Sequence, residues 1–134
     1  MRKINVLICD DQPEIVQEMN ELLLRYEEQY GRAMRILGVT DYEEAKDFAA
    51  DLLFLDIEMG SVNGMETASQ LREKHSALQI VFVTGFSDYV FDGYRVGALG
   101  YLMKPAKRDQ LEEILSRFLV KLCQDAQEVY SCRD

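Results

Sequence analysis

The chain has 134 residues, 48% of them hydrophobic and 29% charged, which is typical of one soluble globular domain and excludes a disordered chain. No apolar run approaches the roughly 18 residues of a membrane span, and the first residues lack the pattern of a secretion signal. The formal net charge of −9 argues against a domain that binds the phosphate backbone of a nucleic acid by itself.

The three cysteines give no reason to expect a metal site or a disulfide scaffold. Cys9, Cys123 and Cys132 have neither the spacing of metal ligands nor a framework pattern. A reducing, cytoplasmic location is the expectation that follows.

Short apolar runs alternate with amphipathic stretches along the chain. Strands are predicted at residues 4–9, 35–39, 52–56, 80–84 and 99–103. Segments with helical spacing are residues 13–30, 41–49, 65–74, 87–95 and 107–124. Three of the strands are almost continuously hydrophobic, as parallel strands covered on both faces are. The repeats predict an α/β fold with a single doubly wound, five-stranded parallel sheet of strand order 2-1-3-4-5.

Five polar residues stand where the predicted strands end: Asp10, Asp11, Asp56, Thr84 and Lys104. Because the carboxyl ends of parallel strands share one edge, where such sheets bind ligands, we expect the three aspartates to converge there. Three carboxylates repel one another unless a cation lies among them, and oxygen ligands suit Mg²⁺. Thr84 and Lys104 would then bind an anion. This combination indicates phosphoryl transfer onto an aspartate.

Four of these residues also have a purely structural explanation. Asp11 could cap the helix that begins near Pro13. Asp56 and Thr84 could be turn residues, and Lys104 could be a solvated surface lysine. The joint placement of all five at one edge favours the functional interpretation.

The stretches VLICDD, LLFLDIEMGSVNG, IVFVTG and GYLMKP occur in the order and spacing of the receiver domain of two-component response regulators. The chain resembles this family over residues 4–122. The resemblance implies a flavodoxin-like receiver fold and phosphoryl transfer from a sensor histidine kinase, dependent on Mg²⁺ or Mn²⁺. It implies that Asp56 is the phosphoacceptor and that Thr84 and Lys104 hold the phosphoryl oxygens.

The resemblance also assigns the remaining site residues. The implied metal ligands are Asp10, Asp11, Asp56 and the backbone carbonyl of Glu58. Tyr101 would be an aromatic switch residue that responds to Thr84. The Lys104–Pro105 peptide bond is expected to be cis. A domain of this kind is not an enzyme in the ordinary sense, because it catalyses only its own phosphorylation at Asp56 and a slow loss of that group.

The stretch FVTGFSDYVFDGYRVGALGYLMKP is similar to receivers of the LytTR class, which usually precede a DNA-binding domain. The expected output is therefore transcription regulation. Residues 1–124 would form the receiver, and residues 125–134 would begin a linker to a C-terminal effector domain outside this chain.

Phosphorylation is also expected to promote a homodimer. The surface concerned comprises the fourth predicted helix (87–95), the fifth strand (99–103) and the fifth helix (107–124). It is rich in aromatic residues, namely Tyr89, Phe91, Tyr94 and Tyr101, and aromatic residues are enriched in interface cores.

Two alternatives remain open from the sequence. The chain could be a stand-alone receiver that acts by protein–protein interaction. It could also be a flavodoxin-like cofactor binder, or a hydrolase with Asp56 as nucleophile and Glu58 as the second acid.

Overall fold

The computed structural model describes residues 3–59, 62–75, 77–85 and 97–126. The elements in chain order are β1 (Ile4–Cys9), α1 (Pro13–Tyr30), β2 (Met34–Val39), a 3-10 helix (Tyr42–Ala45), β3 (Leu52–Asp56), β4 (Glu58–Met59), β5 (Val62–Asn63), α2 (Gly64–Lys74), β6 (Gln79–Thr84), β7 (Gly100–Met103) and α3 (Arg108–Ala126). No helix within these described ranges is long and apolar enough to cross a membrane.

Five of the described strands form one parallel sheet in the order β2-β1-β3-β6-β7. These are the five predicted strands, so the predicted order 2-1-3-4-5 is confirmed. The short strands β4 and β5 pair with each other in an antiparallel hairpin, which the sequence analysis did not predict. The hairpin follows β3 directly and lies outside the main sheet.

The sheet is covered on both faces, which explains its continuously apolar strands. In β3, Leu52 and Phe54 pack in the cluster that contains residues of α1 and α3, whereas Leu53 and Leu55 pack in the cluster that contains residues of α2. Successive side chains of a strand point to opposite faces, so both sets must be apolar. Every residue of β3 and of β6 is buried.

The first helix is bounded by residues that suit its ends. Pro13 occupies the first helical turn, where the missing N–H of proline costs nothing. Gly31 ends the helix in the left-handed region at φ 69°, and its N–H donates to the carbonyl oxygen of Glu27. Gln12, and not Asp11, occupies the N-cap position. The structural explanation of Asp11 as a cap is therefore wrong.

The helix predicted over residues 41–49 is also wrong. Only the single 3-10 turn Tyr42–Ala45 forms there, with the Asp41 side chain accepting a hydrogen bond from the N–H of Glu43. Starting a helix is costly, and a segment this short gains few helical hydrogen bonds to offset that cost. Burial of Ala45 anchors the turn, and residues 46–51 return to the sheet without helical structure.

Two other predicted features lie outside the described residues. These are the helix at 87–95, which carries Tyr89, Phe91 and Tyr94, and the part of the tail beyond residue 126.

Candidate functional site

The candidate site is built from residues that follow the strands of the parallel sheet. Asp10 directly follows β1, and its N–H donates to the carbonyl oxygen of Val39 at 3.1 Å. Asp56 is the last residue of β3. The N–H of Lys104 donates to the carbonyl oxygen of Thr84 at 2.9 Å, which holds the ends of β6 and β7 together. The backbone pairing of the sheet therefore brings these positions to one edge.

The three aspartates converge as expected. Asp10, Asp11 and Asp56 each offer a carboxylate oxygen, and these three oxygens all lie within 4.8 Å of one another. Asp10 is only 2% exposed and Asp56 only 4%, whereas Asp11 is exposed. Two of the three carboxylates are therefore withdrawn from water, and one faces it.

A local turn holds the Asp10 side chain in this arrangement. Oδ1 of Asp10 accepts a hydrogen bond from the N–H of Gln12 at 2.9 Å, a pattern in which an aspartate bonds the backbone two residues on. The turn separates the end of β1 from the first turn of α1.

Lys104 brings a positive charge to the same place. Its Nζ lies 3.0 Å from Oδ2 of Asp10 and 3.4 Å from Oδ2 of Asp56, and it donates to Oε1 of Gln12 at 3.3 Å. Burial alone would lower the pKa of Lys104. The hydrogen bond and charge of Asp10, followed by those of Asp56, outweigh burial and raise the pKa above its usual value. The lysine is thus held in its charged form.

The donor set fits a hard divalent cation. Among the residues that the structure describes, three carboxylates share the site with one ammonium, so negative charge is in excess. Oδ2 of Asp10 is buried, and it lies 3.0 Å from the Lys104 ammonium. Oxygen ligands of this kind, one of them facing water, suit Mg²⁺ or Mn²⁺. Glu58, two residues beyond Asp56, has its backbone fixed by pairing with Asn63 in the β4–β5 hairpin.

Thr84 and Tyr101 lie on neighbouring strands. Thr84 ends β6, is 1% exposed and pairs in register with Met103. Tyr101 pairs with Phe82, and their ring centroids lie 5.6 Å apart. Tyr101 is half-buried on the face of the sheet covered by α2. The Lys104–Pro105 peptide bond is cis, which confirms that prediction.

Sequence reasoning missed Gln12. A signal for it was present, because glutamine is not among the residues preferred at an N-cap and this one stands between the acid pair and Pro13. Its side chain makes no capping hydrogen bond and instead reaches Lys104.

Comparison with known proteins identifies the family. The sequence profile of the response regulator receiver domain matches residues 6–116. The chain belongs to the response regulator receiver family. In this family an acidic triad such as Asp10, Asp11 and Asp56 is typical of a Mg²⁺ site, and a receiver implies a cognate histidine kinase.

Individual relatives agree with this assignment. The receiver is 31% identical over 117 residues to the sensory transduction protein LytT of Bacillus subtilis, covering 86% of this chain and 48% of LytT. It is 32% identical over 120 residues to the transcriptional regulatory protein BtsR of Salmonella typhimurium, covering 85% of this chain and 47% of BtsR. The chain thus spans about half the length of these curated relatives.

A solved structure agrees in fold. The response regulator DrrB of Thermotoga maritima superposes with a TM-score of 0.77 at 22% identity, covering 90% of this chain and 54% of DrrB.

Proposed function

We propose that this receiver accepts a phosphoryl group on Asp56 from a sensor histidine kinase. The proposal rests on one observation, which is the set of charged groups around the buried Asp56 carboxylate. It lies 3.4 Å from the Lys104 ammonium, and it shares a cluster of oxygens with Asp10 and Asp11.

The reaction is an in-line transfer. One oxygen of the Asp56 carboxylate attacks the phosphorus, and a P–O bond forms as the bond to the leaving group breaks. The leaving group keeps the electron pair: it is a ring nitrogen when a phosphohistidine is the donor, and acetate when acetyl phosphate is the donor. Because positioning and electrostatics dominate phosphoryl transfer, the fixed charges of the site are its main contribution.

Each of the remaining site residues has a role in this proposal. Lys104, kept protonated by its carboxylate partners, donates to a phosphoryl oxygen. The hydroxyl of Thr84 donates to another. A cation would be held by the carboxylates of Asp10, Asp11 and Asp56 and by the carbonyl of Glu58. When bound, Mg²⁺ or Mn²⁺ would supply positive charge that offsets the repulsion of the carboxylate and the phosphoryl group, which are both anions.

The response to phosphorylation involves the neighbouring strands. The phosphoryl group adds negative charge and acceptor oxygens, which draw the Thr84 hydroxyl toward Asp56. Tyr101 on the adjacent strand then turns into the space that Thr84 leaves, and the surface beside β7 changes. A local change of charge is in this way coupled to a change of an interaction surface.

The output that we propose is transcription regulation. Its support is the similarity to the transcriptional regulatory protein BtsR, of which the chain covers about half. In this proposal residues 1–124 are the receiver, and residues 125–134 begin a linker to a C-terminal DNA-binding domain.

Phosphorylation would also favour a homodimer through the surface formed by residues 87–95, 99–103 and 107–124. Sedimentation with and without beryllofluoride tests the dimer, which an unchanged monomer would refute.

Intact-mass measurement tests the phosphoacceptor. The receiver is incubated with MgCl₂ and acetyl phosphate, and we expect a gain in mass of one phosphoryl group that EDTA prevents. Asp56→Asn should not gain it. Asp47→Asn, the same change at an exposed aspartate that follows the 3-10 helix, should gain it like the wild type. A wild-type protein without the adduct, or an adduct that persists in Asp56→Asn, would refute the proposal.

A further inference from the structure

Gln12 occupies an N-cap position but does not act as a cap. Its backbone is extended, at φ −97° and ψ 108°, as in other N-cap residues, yet its side chain makes no hydrogen bond to the start of α1. Instead Oε1 accepts a hydrogen bond from Nζ of Lys104, 92 residues away in the sequence. The N–H of Gln12 also donates to Oδ1 of Asp10. Gln12 therefore contacts both Asp10 and Lys104.

The donor capacity of Lys104 makes this contact informative. An ammonium has three N–H donors and accepts nothing. Three acceptors among the described residues lie around it, namely Oδ2 of Asp10 at 3.0 Å, Oε1 of Gln12 at 3.3 Å and Oδ2 of Asp56 at 3.4 Å. Of these three, Gln12 is the neutral one.

Asp10 and Asp56, the two charged acceptors, also have other roles in the proposed reaction. Asp10 and Asp56 belong to the oxygen cluster that suits a cation, and Asp56 becomes an acyl phosphate during transfer. The amide oxygen of Gln12 has no comparable second use, since a carboxylate is the preferred ligand of such a cation. It can hold one N–H of Lys104 throughout the reaction.

We propose that Gln12 is a positioning residue that orients the Lys104 ammonium toward the phosphoryl group. This inference rests on the proposed phosphorylation of Asp56. The turn at Asp10 fixes the backbone of Gln12, the amide oxygen fixes one N–H of the lysine, and the remaining N–H groups point to the phosphoryl oxygens. Orientation of a charged donor before the reaction lowers the barrier without changing the chemistry.

Three substitutions test the contact. Gln12→Met keeps the length of the side chain and removes the acceptor, while Gln12→Glu keeps an acceptor oxygen in the same place. Gln17→Met is the matched control, because Gln17 is exposed on the same helix and is outside the site. Since Gln12 is also exposed, these variants are expected to fold, and urea denaturation verifies this.

The first measurement is the rate of adduct formation with acetyl phosphate at saturating MgCl₂. We expect Gln12→Met to slow the rate about three- to tenfold, the range for one hydrogen bond, with Gln12→Glu within about twofold of the wild type. Gln17→Met should be unchanged. A wild-type rate in Gln12→Met would overturn the inference while leaving the proposed function intact. Absence of any adduct in the wild type would instead refute the proposed function, and the role of Gln12 with it.

The second measurement does not depend on activity. The ¹³Cε–¹⁵Nζ correlation of Lys104, assigned by its loss in Lys104→Arg, is recorded with MgCl₂ and without a phosphodonor. Gln12→Met should shift this signal and Gln17→Met should not. A slower rate with an unshifted Lys104 signal would also overturn the inference, because the defect would then not act through the lysine.

Discussion

Replacement of Lys104 by methionine probes the charge balance of the site. Methionine keeps an unbranched side chain of similar length and removes the ammonium that lies 3.0 Å from Asp10 and 3.4 Å from Asp56. The two nearly buried carboxylates then lose this partner while they remain close to Asp11. We expect the variant to be less stable than the wild type in the absence of divalent cations.

The expected loss of stability in Lys104→Met follows from the distances between the lysine and the two carboxylates. At an effective dielectric constant of about 20, each pair attracts by about 5 kcal/mol, which is a gross value that the desolvation of the charges largely opposes. Removing one partner of a buried pair costs about 3–5 kcal/mol. Because the Lys104 side chain remains 19% exposed and is partly screened, we expect the lower end of that range, about 3 kcal/mol. For a domain of this size the melting temperature should fall by roughly 10 °C.

The difference in stability between the wild type and Lys104→Met depends on pH, and the sign of this dependence is definite. The pKa of Lys104 is raised by its carboxylate partners, so the folded protein holds this proton more tightly than the unfolded chain does. The stabilisation is complete below the unfolded pKa of about 10.4 and is lost as pH rises through the higher folded value. The difference in unfolding free energy between wild type and Lys104→Met should therefore be constant from about pH 7 to 10 and shrink above that.

Urea denaturation at pH 7.5 in EDTA, followed by circular dichroism, measures the difference. Lys46→Met is the control, because the pair that Lys46 forms with Glu43 at 3.9 Å is exposed, and the substitution should cost less than about 1 kcal/mol. Added MgCl₂ should stabilise Lys104→Met more than the wild type, since the cation no longer competes with the ammonium. A Lys104→Met protein as stable as the Lys46→Met control in EDTA would refute the electrostatic account of the site.

Three further predictions concern packing, a part-buried hydrogen bond and a thiol. A Cβ at Gly38 would overlap Cγ1 of Val16, so Gly38→Ala should lower the free energy of unfolding, measured by urea denaturation, by about 1–3 kcal/mol. Val16→Ala in the same chain should recover part of this loss, and equal losses in the single and double variants would contradict the reasoning. Oδ2 of Asp51 accepts a hydrogen bond from the N–H of Asn5 at 2.8 Å, so Asp51→Ala should lower the free energy of unfolding by about 1–3 kcal/mol. Asp51→Asn keeps an oxygen at this position and should lower it clearly less, and equal losses in the two variants would count against the hydrogen bond. Burial, followed by the charges of nearby carboxylates, raises the pKa of Cys9 to about 12, so iodoacetamide at pH 8 should leave Cys9 unmodified in the folded protein and modify it in urea. Peptide mapping measures the modification, and rapid labelling of the folded protein would contradict the burial of Cys9.

The sequence alone was sufficient to predict the sheet and the edge that carries the site. Strands β3 and β6 are buried throughout, and burial on both faces leaves a continuous apolar run that is visible without any contact information. The polar residues that interrupt such runs must lie at the strand ends, and parallel strands end at one edge. Asp56 at the end of β3 and Thr84 at the end of β6 could therefore be assigned to the same crevice.

The connection after β2 was decided by the tertiary structure. Residues 41–49 have a helical pattern, but the chain must return to Leu52 within a few residues, and a single 3-10 turn that buries Ala45 is what forms. Periodicity reports which side chains are apolar, and it does not report how much space the neighbouring elements leave for a helix. The β4–β5 hairpin was missed for a similar reason, because its strands are only two residues long and carry too little pattern.

The contact between Gln12 and Lys104 was beyond any local pattern. The two residues lie 92 positions apart, and their separation of 3.3 Å depends on the register of β1 and β7 within the sheet and on the turn that Asp10 stabilises. Residue type indicated which side chains can carry charge or coordinate a cation. Which neutral side chain lies beside the lysine was decided by the packing of α1 against the sheet, because only the folded chain brings the start of that helix to the end of the last strand.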